Sequence, residues 1–492
     1  LVAQLPALQV VLPLIAAPLC VILRRPTLAW LVFLITAWGG LAISALLIVV
    51  VKVGGPISYA MGGWEPPLGI EYRVDHLNAF VIGVVSLIAA VIAPYAKASV
   101  EKEIDPERIY LFYALMLLCL CGLLGIAMTG DAFNLFVFLE ISSLSSYALI
   151  AMGAKRKALL AAFQYLVLGT VGGTFILIGV GLLYAMTGTL NMLDLAARIP
   201  AVADTTTVKA ALAFIMVGAG LKLALLPLHF WLPNAYTYAP SVVSAFIAAT
   251  ATKVAAYAMI RFIYTVLGAD FALEQLPLNQ ILMFLAVAAM LYGSVAAIFQ
   301  TDVKRLLAWS SIAQIGYIVL GLALLSSAGL TASILHLLNH GVIKAALFMS
   351  VGIMFWQTNS VQLGDLAGLG RSMPWVAAAF VGAGLGLIGV PLTAGFITKW
   401  YLLAAVIDDG HWLLAAAILI SSLLAIIYIA RVVETLYFRA APAQTSELAK
   451  PPMMMVAATW TLVIINLGIG VHSTPFVRYA QSAAQSLLGG AA

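Results

Sequence analysis

The sequence predicts an all-α, polytopic membrane protein with about fourteen transmembrane helices. The chain has 492 residues, of which 64% are hydrophobic and only 9% are charged, whereas soluble proteins are roughly 25% charged. Its mean hydropathy is +1.10. The apolar residues form stretches of about 20 residues, the length that an α-helix needs to cross a bilayer. This composition excludes a soluble enzyme, a disordered chain and a nucleic-acid-binding protein.

Charged or Pro/Gly-rich segments divide the apolar part of the chain into fourteen predicted spans. They are 6–23, 29–51, 77–96, 109–128, 132–153, 159–186, 208–237, 240–266, 280–300, 306–327, 330–356, 374–408, 411–435 and 454–473. The seventh and twelfth spans are too long for one straight helix, and they contain Pro227 and Pro391. Because proline removes a backbone donor and disrupts a helix, we predict that both are broken helices.

Basic residues are distributed unequally between the two sides of the predicted bundle. The loops after odd-numbered spans hold fourteen lysines and arginines, and the opposite side, termini included, holds six. Since cytoplasmic loops carry an excess of Lys and Arg, we predict a multi-pass protein of the bacterial inner (plasma) membrane with both termini in the periplasm. The net charge of +5 then reflects topology rather than a polyanionic partner.

The sequence contains no pattern typical of a nucleotide, redox or metalloprotease site, such as CxxC or HExxH. We therefore predict no cofactor and no metal. Cys20, Cys119 and Cys121 are interpreted as small buried hydrophobic residues. The first apolar stretch follows no basic segment, so we also expect no cleavable signal peptide.

Five charged residues lie inside predicted spans and away from the interfaces, where an ionised side chain costs several kcal/mol and is therefore informative. They are Glu140, Lys222, Lys253, Lys344 and Lys399. Glu140, in NLFVFLEISSLSSYALI, is interpreted as a proton-relay carboxylate paired with a lysine of a neighbouring helix. The alternative is an ion pair that only holds helices together.

Two of the lysines accompany the predicted breaks. Lys222 precedes Pro227 by five residues, and Lys399 follows Pro391 by eight. Broken helices expose backbone groups and helix ends that bind or polarise ions, so both lysines are candidates for proton exchange, with structural pairing as the alternative for Lys222. Lys253 lies about 12 Å from Arg261, which is taken to mark the interface; the alternative is a snorkelling side chain.

The eleventh span carries His336, His340 and Lys344 at positions i, i+4 and i+8, which places them on one helix face. Two imidazoles in series can pass protons. The alternatives are structural hydrogen bonding and a haem, although two histidines on one face of one helix cannot clamp a haem between them. His229, in the break after Lys222, could join the relay.

Three further charged residues are given structural roles. Asp131 is expected to cap the fifth span, and Arg431 and Glu434 are expected to pair near the end of the thirteenth.

The two breaks suggest an internal repeat. If spans four to eight form one unit and spans nine to thirteen another, both broken helices are fourth in their unit. Because each unit has five helices, the second must be inverted, which is typical of ion transporters. The predicted divisions are 1–108 (N-terminal helices), 109–266 (first five-helix repeat), 280–435 (second, inverted repeat) and 454–492 (C-terminal helix and tail).

Several strings identify a resemblance. They are GDAFNLFVFLEISSLSSYALIAMG (130–153), GLKLALLPLHFWLPNAYTYAPSVVSAFIAATATKVAAYAMIR (220–261), TDVKRLLAWSSIAQIGYI (301–318), HLLNHGVIKAALFMSVG (336–352) and GLGRSMP (368–374). The chain resembles the D-type subunits of the Mrp-type multi-subunit monovalent cation/proton antiporters, a family homologous to the antiporter-like subunits of respiratory complex I and of membrane-bound hydrogenases.

The resemblance implies a proton pathway that connects residues already selected by their depth. It matches Glu140 to the fifth-span glutamate of the family, Lys222, Lys253 and Lys399 to its lysines, and His336 and His340 to its central relay. Many relatives have Asp at the position of Asn234, and some have His at the position of Tyr236. These departures remove titratable groups from the turn between the seventh and eighth spans, and they put in doubt a proton entry route through it.

The resemblance also implies a function and partners. We expect a proton-translocating subunit of a hetero-oligomeric antiporter that exchanges protons for sodium or another monovalent cation, with other membrane subunits and the lipid bilayer as partners. The first alternative is the proton-pumping membrane subunit of a redox-driven complex, resembling complex I or a membrane-bound hydrogenase. The second is a membrane scaffold without transport of its own.

Overall fold

The structure, a computed structural model, describes residues 2–440 and 450–489. In this part of the chain nineteen α-helices accompany one two-stranded antiparallel sheet. The helices are α1 (Leu5–Leu23), α2 (Pro26–Gly54), α3 (His76–Glu103), α4 (Ile109–Met128), α5 (Ala132–Ala151), α6 (Lys157–Thr187), α7 (Met192–Arg198), α8 (Thr206–Leu223), α9 (Trp231–Tyr238), α10 (Ser241–Ile260), α11 (Leu278–Ile298), α12 (Val303–Ala323), α13 (Ser327–Thr358), α14 (Leu369–Ser372), α15 (Pro374–Ile388), α16 (Ala394–Asp408), α17 (Trp412–Phe438), α18 (Met453–Val471) and α19 (Thr474–Leu488). The strands are β1 (Ile57–Ala60) and β2 (Glu71–Val74).

The predicted polytopic architecture is confirmed. Among the described residues, thirteen helices are long and apolar enough to cross a membrane, or up to fourteen if the bent pair Leu363–Ser372 and Pro374–Ile388, which meet at 113°, forms one span. The segment after the fourteenth predicted span contains the separate helix α19, which the sequence prediction did not include. A short hairpin of β1 and β2 occupies the loop between α2 and α3.

Both predicted breaks are present. The seventh span consists of α8 and α9, which leave residues 224–230 outside the two helices, and the twelfth consists of α15 and α16, which leave residues 389–393 outside. Each first half ends with a residue in the left-handed region, Ala224 (φ 60°) and Gly389 (φ 85°). Because the prolines inside the breaks supply no N–H group, carbonyl groups at the ends of α8 and α15 become available to side chains.

Helix α13 lies at the centre of the bundle, and its most apolar 18-residue segment is completely buried. It packs against α3, α10, α12, α15, α16, α18 and α19. At Gly341 an added Cβ would lie 3.0 Å from the carbonyl oxygen of Ala249, so the absence of a side chain lets α10 approach closely. The polar residues of α13 are therefore enclosed by protein rather than by lipid.

Two isolated backbone bridges relate the halves of the molecule. One joins Asp131 to Asn191 and the other joins Asp302 to Gln362. Both residues of the second bridge lie 171 positions after those of the first. In both bridges, the residue that follows the aspartate donates its N–H to the carbonyl that precedes the bridge partner, at 2.8 and 2.9 Å.

The same displacement carries α5 onto α12 and places the start of α6 within one residue of the start of α13. Asp131 caps α5 by accepting the N–H of Asn134 at 2.7 Å, as predicted, and Asp302 caps α12 by accepting the N–H of Arg305 at 3.0 Å. The division of the chain at 109–266 and 280–435 stays a prediction, and this correspondence supports it.

Several charged residues lie elsewhere than the sequence suggested. Glu434 pairs with Arg439 at 3.1 Å rather than with Arg431, because both partners lie at the exposed end of α17. Among residues 2–440 and 450–489, four charged residues outside the five selected ones are buried, namely Glu71, Asp131, Arg261 and Lys304. Burial inside the bundle therefore extends into segments that sequence alone assigns to loops or interfaces.

Candidate functional site

Glu140 and Lys222 form an ion pair between α5 and the last turn of α8. The Nζ of Lys222 donates to Oε1 of Glu140 at 3.0 Å and to Oγ of Ser143 at 2.8 Å. The side chain of Lys222 is 4% exposed and that of Glu140 is 21% exposed. The predicted pairing of Glu140 with a neighbouring lysine is thus confirmed, and its carboxylate lies at the edge of the bundle rather than in its middle.

Gly173 on α6 makes room for this carboxylate. A Cβ at Gly173 would lie 2.2 Å from Oε1 of Glu140, well inside van der Waals contact. Any larger residue would therefore push Glu140 away from Lys222. The contact between Glu140 and Lys222 therefore depends on Gly173, which the sequence patterns did not single out.

The break after Lys222 is held by aromatic side chains. The indole N–H of Trp231 donates to the carbonyl of Leu221 at 2.8 Å, and the Trp231 ring stacks on Tyr165 with centroids 3.8 Å apart. A cavity of about 20 Å³ lies beside Lys222, lined also by Ser143, Ala251 and Ala255. Such a volume is enough for about one water, on the side of Lys222 that faces α10.

Lys253 lies on α10, in the interior, and is 1% exposed. Its Nζ donates to the carbonyl of Ala248 at 2.5 Å and to Oγ1 of Thr252 at 3.3 Å. Within the described part of the chain it has no carboxylate partner. The side chain does not snorkel, since it is directed into the bundle and not toward an interface.

His336, His340 and Lys344 share one face of α13, as predicted. The two imidazole rings are stacked with centroids 5.4 Å apart. His336 Nε2 lies 3.0 Å from Oε1 of Gln314 on α12, and Lys344 donates to Oγ of Ser310 and to the carbonyl of Leu307 on the same helix. Helix α10, which carries Lys253, packs closely against α13. We call Lys253, His336, His340 and Lys344 the central cluster.

Lys399 lies on the far side of the central cluster, on α16. Its Nζ donates to the carbonyls of Leu387 and Ile388, at 3.2 and 2.7 Å, and lies 5.0 Å from the centroid of the Tyr317 ring. The Tyr317 ring is also 5.9 Å from that of His336. Tyr317 therefore stands between the central cluster and Lys399.

His229 lies in the break of the seventh span but is separate from the other selected residues. It is 3% exposed, and neither ring nitrogen has a hydrogen-bond partner among residues 2–440 and 450–489. Its neighbours are the rings of Phe230, Tyr292 and Trp309. A role for His229 in proton transfer stays a prediction that these contacts do not favour.

Sequence reasoning missed a second buried network. Arg261 at the end of α10 contacts Asp75 at 2.5 Å and the side chain of Asn78, and its Nε donates to the hydroxyl of Tyr257 at 3.2 Å. Asn78 in turn donates to the Tyr257 hydroxyl at 2.8 Å. Arg261 is thus buried in an ion pair and is not a free interface residue. Lys253, Tyr257 and Arg261 repeat the i, i+4, i+8 spacing of α13, which is the signal that could have revealed them.

This Asp75 network borders a cavity of about 920 Å³ that is also lined by Arg73, His76 and Thr129. Burial alone would raise the pKa of the Asp75 carboxyl, but the Arg261 guanidinium and the N–H groups of Leu77 and Asn78 hold that pKa below its ordinary value. Asp75 therefore stays ionised beside Arg261 at neutral pH. The pair separates the cavity from the interior face of α10, two helical turns from Lys253.

A helical bundle with two broken spans and a row of buried lysines and histidines defines the class of antiporter-like membrane subunits. Residues 129–425 match the family described as "NADH:quinone oxidoreductase/Mrp antiporter, TM". The chain belongs to this family, and the expected resemblance is confirmed. Its relatives in multi-subunit membrane assemblies include both proteins of antiporters and proteins of respiratory complexes.

Three proteins illustrate the similarity. The N subunit of the NADH-quinone oxidoreductase of Desulforudis audaxviator is 43% identical over 95% of each chain. The D subunit of the Na(+)/H(+) antiporter of Bacillus subtilis is 29% identical over 98% of this chain and 96% of its own. A chain in the structure of the Mrp complex from Dietzia sp. is 27% identical, with a TM-score of 0.90 over 99% of this chain and 97% of that one.

Proposed function

We propose that this chain is a proton-translocating subunit of a multi-subunit membrane complex. The observation that carries the proposal is a row of ionisable groups in the bundle, all buried except the partly exposed Glu140: the Glu140–Lys222 pair, the central cluster and Lys399. Isolated buried charges are costly. A series of them on adjoining helices is therefore explained better by proton movement than by stability.

Protons would move stepwise between three stations. A proton that arrives at the Glu140–Lys222 pair neutralises the carboxylate and weakens its hold on the Lys222 ammonium. Lys222 can then release a proton toward α10, where the small cavity beside Ser143 has room for a bridging water. Because charges close together in a low-dielectric interior repel strongly, a proton on one member of the central cluster disfavours a second one nearby.

The final station is Lys399. Its ammonium is held by the last carbonyls of α15, the helix end that carries partial negative charge and favours a cation. Tyr317 lies between this ammonium and His336. The row therefore ends in a cation site that needs no carboxylate and that can lose its proton to the opposite side.

Two assemblies would use such a subunit. In the first, a monovalent cation/proton antiporter, sodium or another cation drives proton movement, and the similarity to the Bacillus subtilis D subunit and to the Dietzia complex supports it. In the second, a redox-driven complex, electron transfer in partner subunits drives it. The 43% identity to the Desulforudis audaxviator N subunit, against 29% to the Bacillus subtilis protein, favours the second.

Transport by the purified complex in proteoliposomes with an internal pH dye tests the proposal. A pH change driven by an imposed sodium gradient, without any electron donor, would identify the antiporter. Acidification that requires an electron donor and ignores sodium would identify the redox-driven complex. If Glu140→Gln and Lys222→Met complexes assemble and retain wild-type proton movement in both assays, the proposed translocation is wrong.

A further inference from the structure

Two adjoining cavities open at the end of the molecule where α6 and α12 begin. The larger, of about 430 Å³, lies between α6, α9 and α12, and its lining includes Phe163, Val167 and Phe230. The smaller, of about 360 Å³, includes Lys155, Arg156 and Lys157 in its lining. Arg305 lines both. We call the larger one the lateral cavity and the four basic residues Lys155, Arg156, Lys157 and Arg305 the basic rim.

The basic rim carries a surplus of positive charge. The smaller cavity sets four cationic side chains against the carboxylate of Asp302. Asp302 is already engaged, since it caps α12 and accepts a hydrogen bond from Nε2 of Gln362 at 3.0 Å. Within the described ranges, no other acidic side chain lines either cavity. The rim therefore suits an anion, and it lies on the side that the distribution of basic residues predicts to be cytoplasmic.

The lateral cavity has an apolar wall that faces away from the bundle. Phe163 is 60% exposed and Phe230 is 69% exposed. Along α6 the site runs from Lys157 in the rim to Leu168, a distance of about 16 Å at the helical rise. This equals about half the thickness of a bilayer's hydrocarbon core. The combined site is thus as deep as one leaflet.

Polar groups line the inner part of the lateral cavity. Nη1 of Arg305 donates to Oδ1 of Asn234 at 3.0 Å, and Nδ2 of Asn234 donates to Gln164 at 2.7 Å. Both ring nitrogens of His229 and the indole N–H of Trp309 are buried, and the part of the chain that the structure describes offers them no hydrogen-bond partner. Buried polar groups are nearly always satisfied in native proteins. Oxygen atoms of an occupant would accept hydrogen bonds from the Trp309 indole N–H and from the ring nitrogen of His229 that carries a proton.

We propose that these two cavities together bind one anionic phospholipid of the inner leaflet. The phosphate lies against the basic rim, the glycerol ester oxygens accept hydrogen bonds from Trp309 and His229, and an acyl chain covers Phe163 and Phe230. A free phosphate ion would leave the apolar wall uncovered. A zwitterionic lipid would place its own cation beside the four basic residues. Clusters of Lys and Arg beside helices are the usual means of recognising anionic headgroups.

Native mass spectrometry of the intact, detergent-washed complex tests this site by counting retained lipid. The complex is incubated with phosphatidylglycerol, with phosphatidylcholine of the same acyl chains, or with inorganic phosphate. We expect the wild-type complex to retain phosphatidylglycerol, and retention to weaken roughly tenfold in the Lys155→Gln/Lys157→Gln variant. Lys209→Gln, an exposed lysine outside both cavities, is the matched control and should retain lipid normally.

Phe163→Ala provides a second test that leaves every charge in place, and it should also lower retention. Equal retention of the two lipids by the wild-type complex would overturn the proposal. So would full retention in both the rim and the Phe163→Ala variants, or displacement of the lipid by inorganic phosphate alone. A structure of the complex in which side chains of another subunit fill the lateral cavity would overturn it as well.

Discussion

The two broken spans hold their lysines in different ways. Lys222 lies in the last turn before its break and is paired with Glu140 at 3.0 Å. Lys399 lies after its break and, among the described residues, donates only to the carbonyls of Leu387 and Ile388. The Lys222 ammonium is stabilised by a carboxylate that can itself be protonated. The Lys399 ammonium is stabilised by backbone carbonyls, which do not titrate. The two ends of the proposed pathway therefore respond differently to an arriving proton.

The displacement of 171 residues reveals a further difference between the two halves. It relates Glu140 on α5 to Ser311 on α12, and Gly173 on α6 to Lys344 on α13. In the first half a carboxylate faces a glycine, and in the second half a lysine of α13 donates to Ser310, the neighbour of Ser311. The same pair of helices thus carries a negative group in one half and a positive group in the other. Corresponding helix pairs in the two halves therefore carry side chains of opposite charge.

The largest expected effect comes from removing the charged pair at the first break. Lys222→Met leaves the Glu140 carboxylate without its cation, and we expect proton translocation by the reconstituted complex to fall roughly a hundredfold, the scale of losing a positioned proton-transfer group. Proton flux in proteoliposomes measures this.

The matched control is Lys209→Met, on the same helix. Lys209 is exposed, and its nearest carboxylate, Asp204, lies at 3.9 Å and is also exposed. Its flux should match that of the wild type. Equal flux in the Lys222→Met and Lys209→Met complexes would show that the ion pair at the first break is not needed for proton translocation.

A single methyl group should disturb the same pair without changing any charge. In Gly173→Ala the new Cβ competes with Oε1 of Glu140 at 2.2 Å, so the carboxylate must move and its contact with Lys222 must lengthen. We expect the flux to fall by roughly ten- to a hundredfold, as for small misplacements of reacting groups.

Gly181→Ala on the same helix is the control, since an added Cβ there meets nothing within 4 Å in the described part of the chain. A Gly173→Ala complex that transports protons at the wild-type rate would show that the close contact of Glu140 and Lys222 is not required.

The second break should be less sensitive to loss of a contact, because backbone carbonyls remain when a side chain is removed. Tyr317→Leu deletes the ring that lies 5.0 Å from the Lys399 ammonium. A cation–π contact in a desolvated site contributes about 1–2 kcal/mol, so we expect a change in flux of roughly five- to thirtyfold. A loss as severe as that of Lys222→Met would contradict the contrast between the breaks.

The smallest effect is expected for Thr398→Ala. Asn339 on α13 donates to Oγ1 of Thr398 at 2.8 Å and to the carbonyl of Ala394, also at 2.8 Å. Because the second bond survives the substitution, only about 1 kcal/mol should be lost, and flux should fall by about fivefold at most. Thermal unfolding of the complex, measured alongside, separates a weakened helix contact from an altered Lys399.

The sequence predicted the framework and most of the ionisable positions. Apolar length and proline placement revealed the spans and both breaks, because crossing a bilayer imposes a helix of known length. Spacing along α13 was enough to place His336 and His340 on one face. By contrast, Gly173, Gln314 and Tyr317 act through contacts between helices distant in sequence, which no local pattern reports.

The sequence by itself determined that this chain is a helical membrane protein. It also singled out the few interior charges as candidate functional groups, because burying an ionised side chain in hydrocarbon costs free energy. Only the tertiary structure decided which of those charges meet. It paired Lys222 with Glu140 and buried Arg261 against Asp75, whose positions are 186 residues apart. It left Lys399 to the carbonyls of a broken helix. Helix packing brings distant residues within hydrogen-bond distance, and the packing depends on glycines and helix ends whose effect appears only when the bundle is assembled.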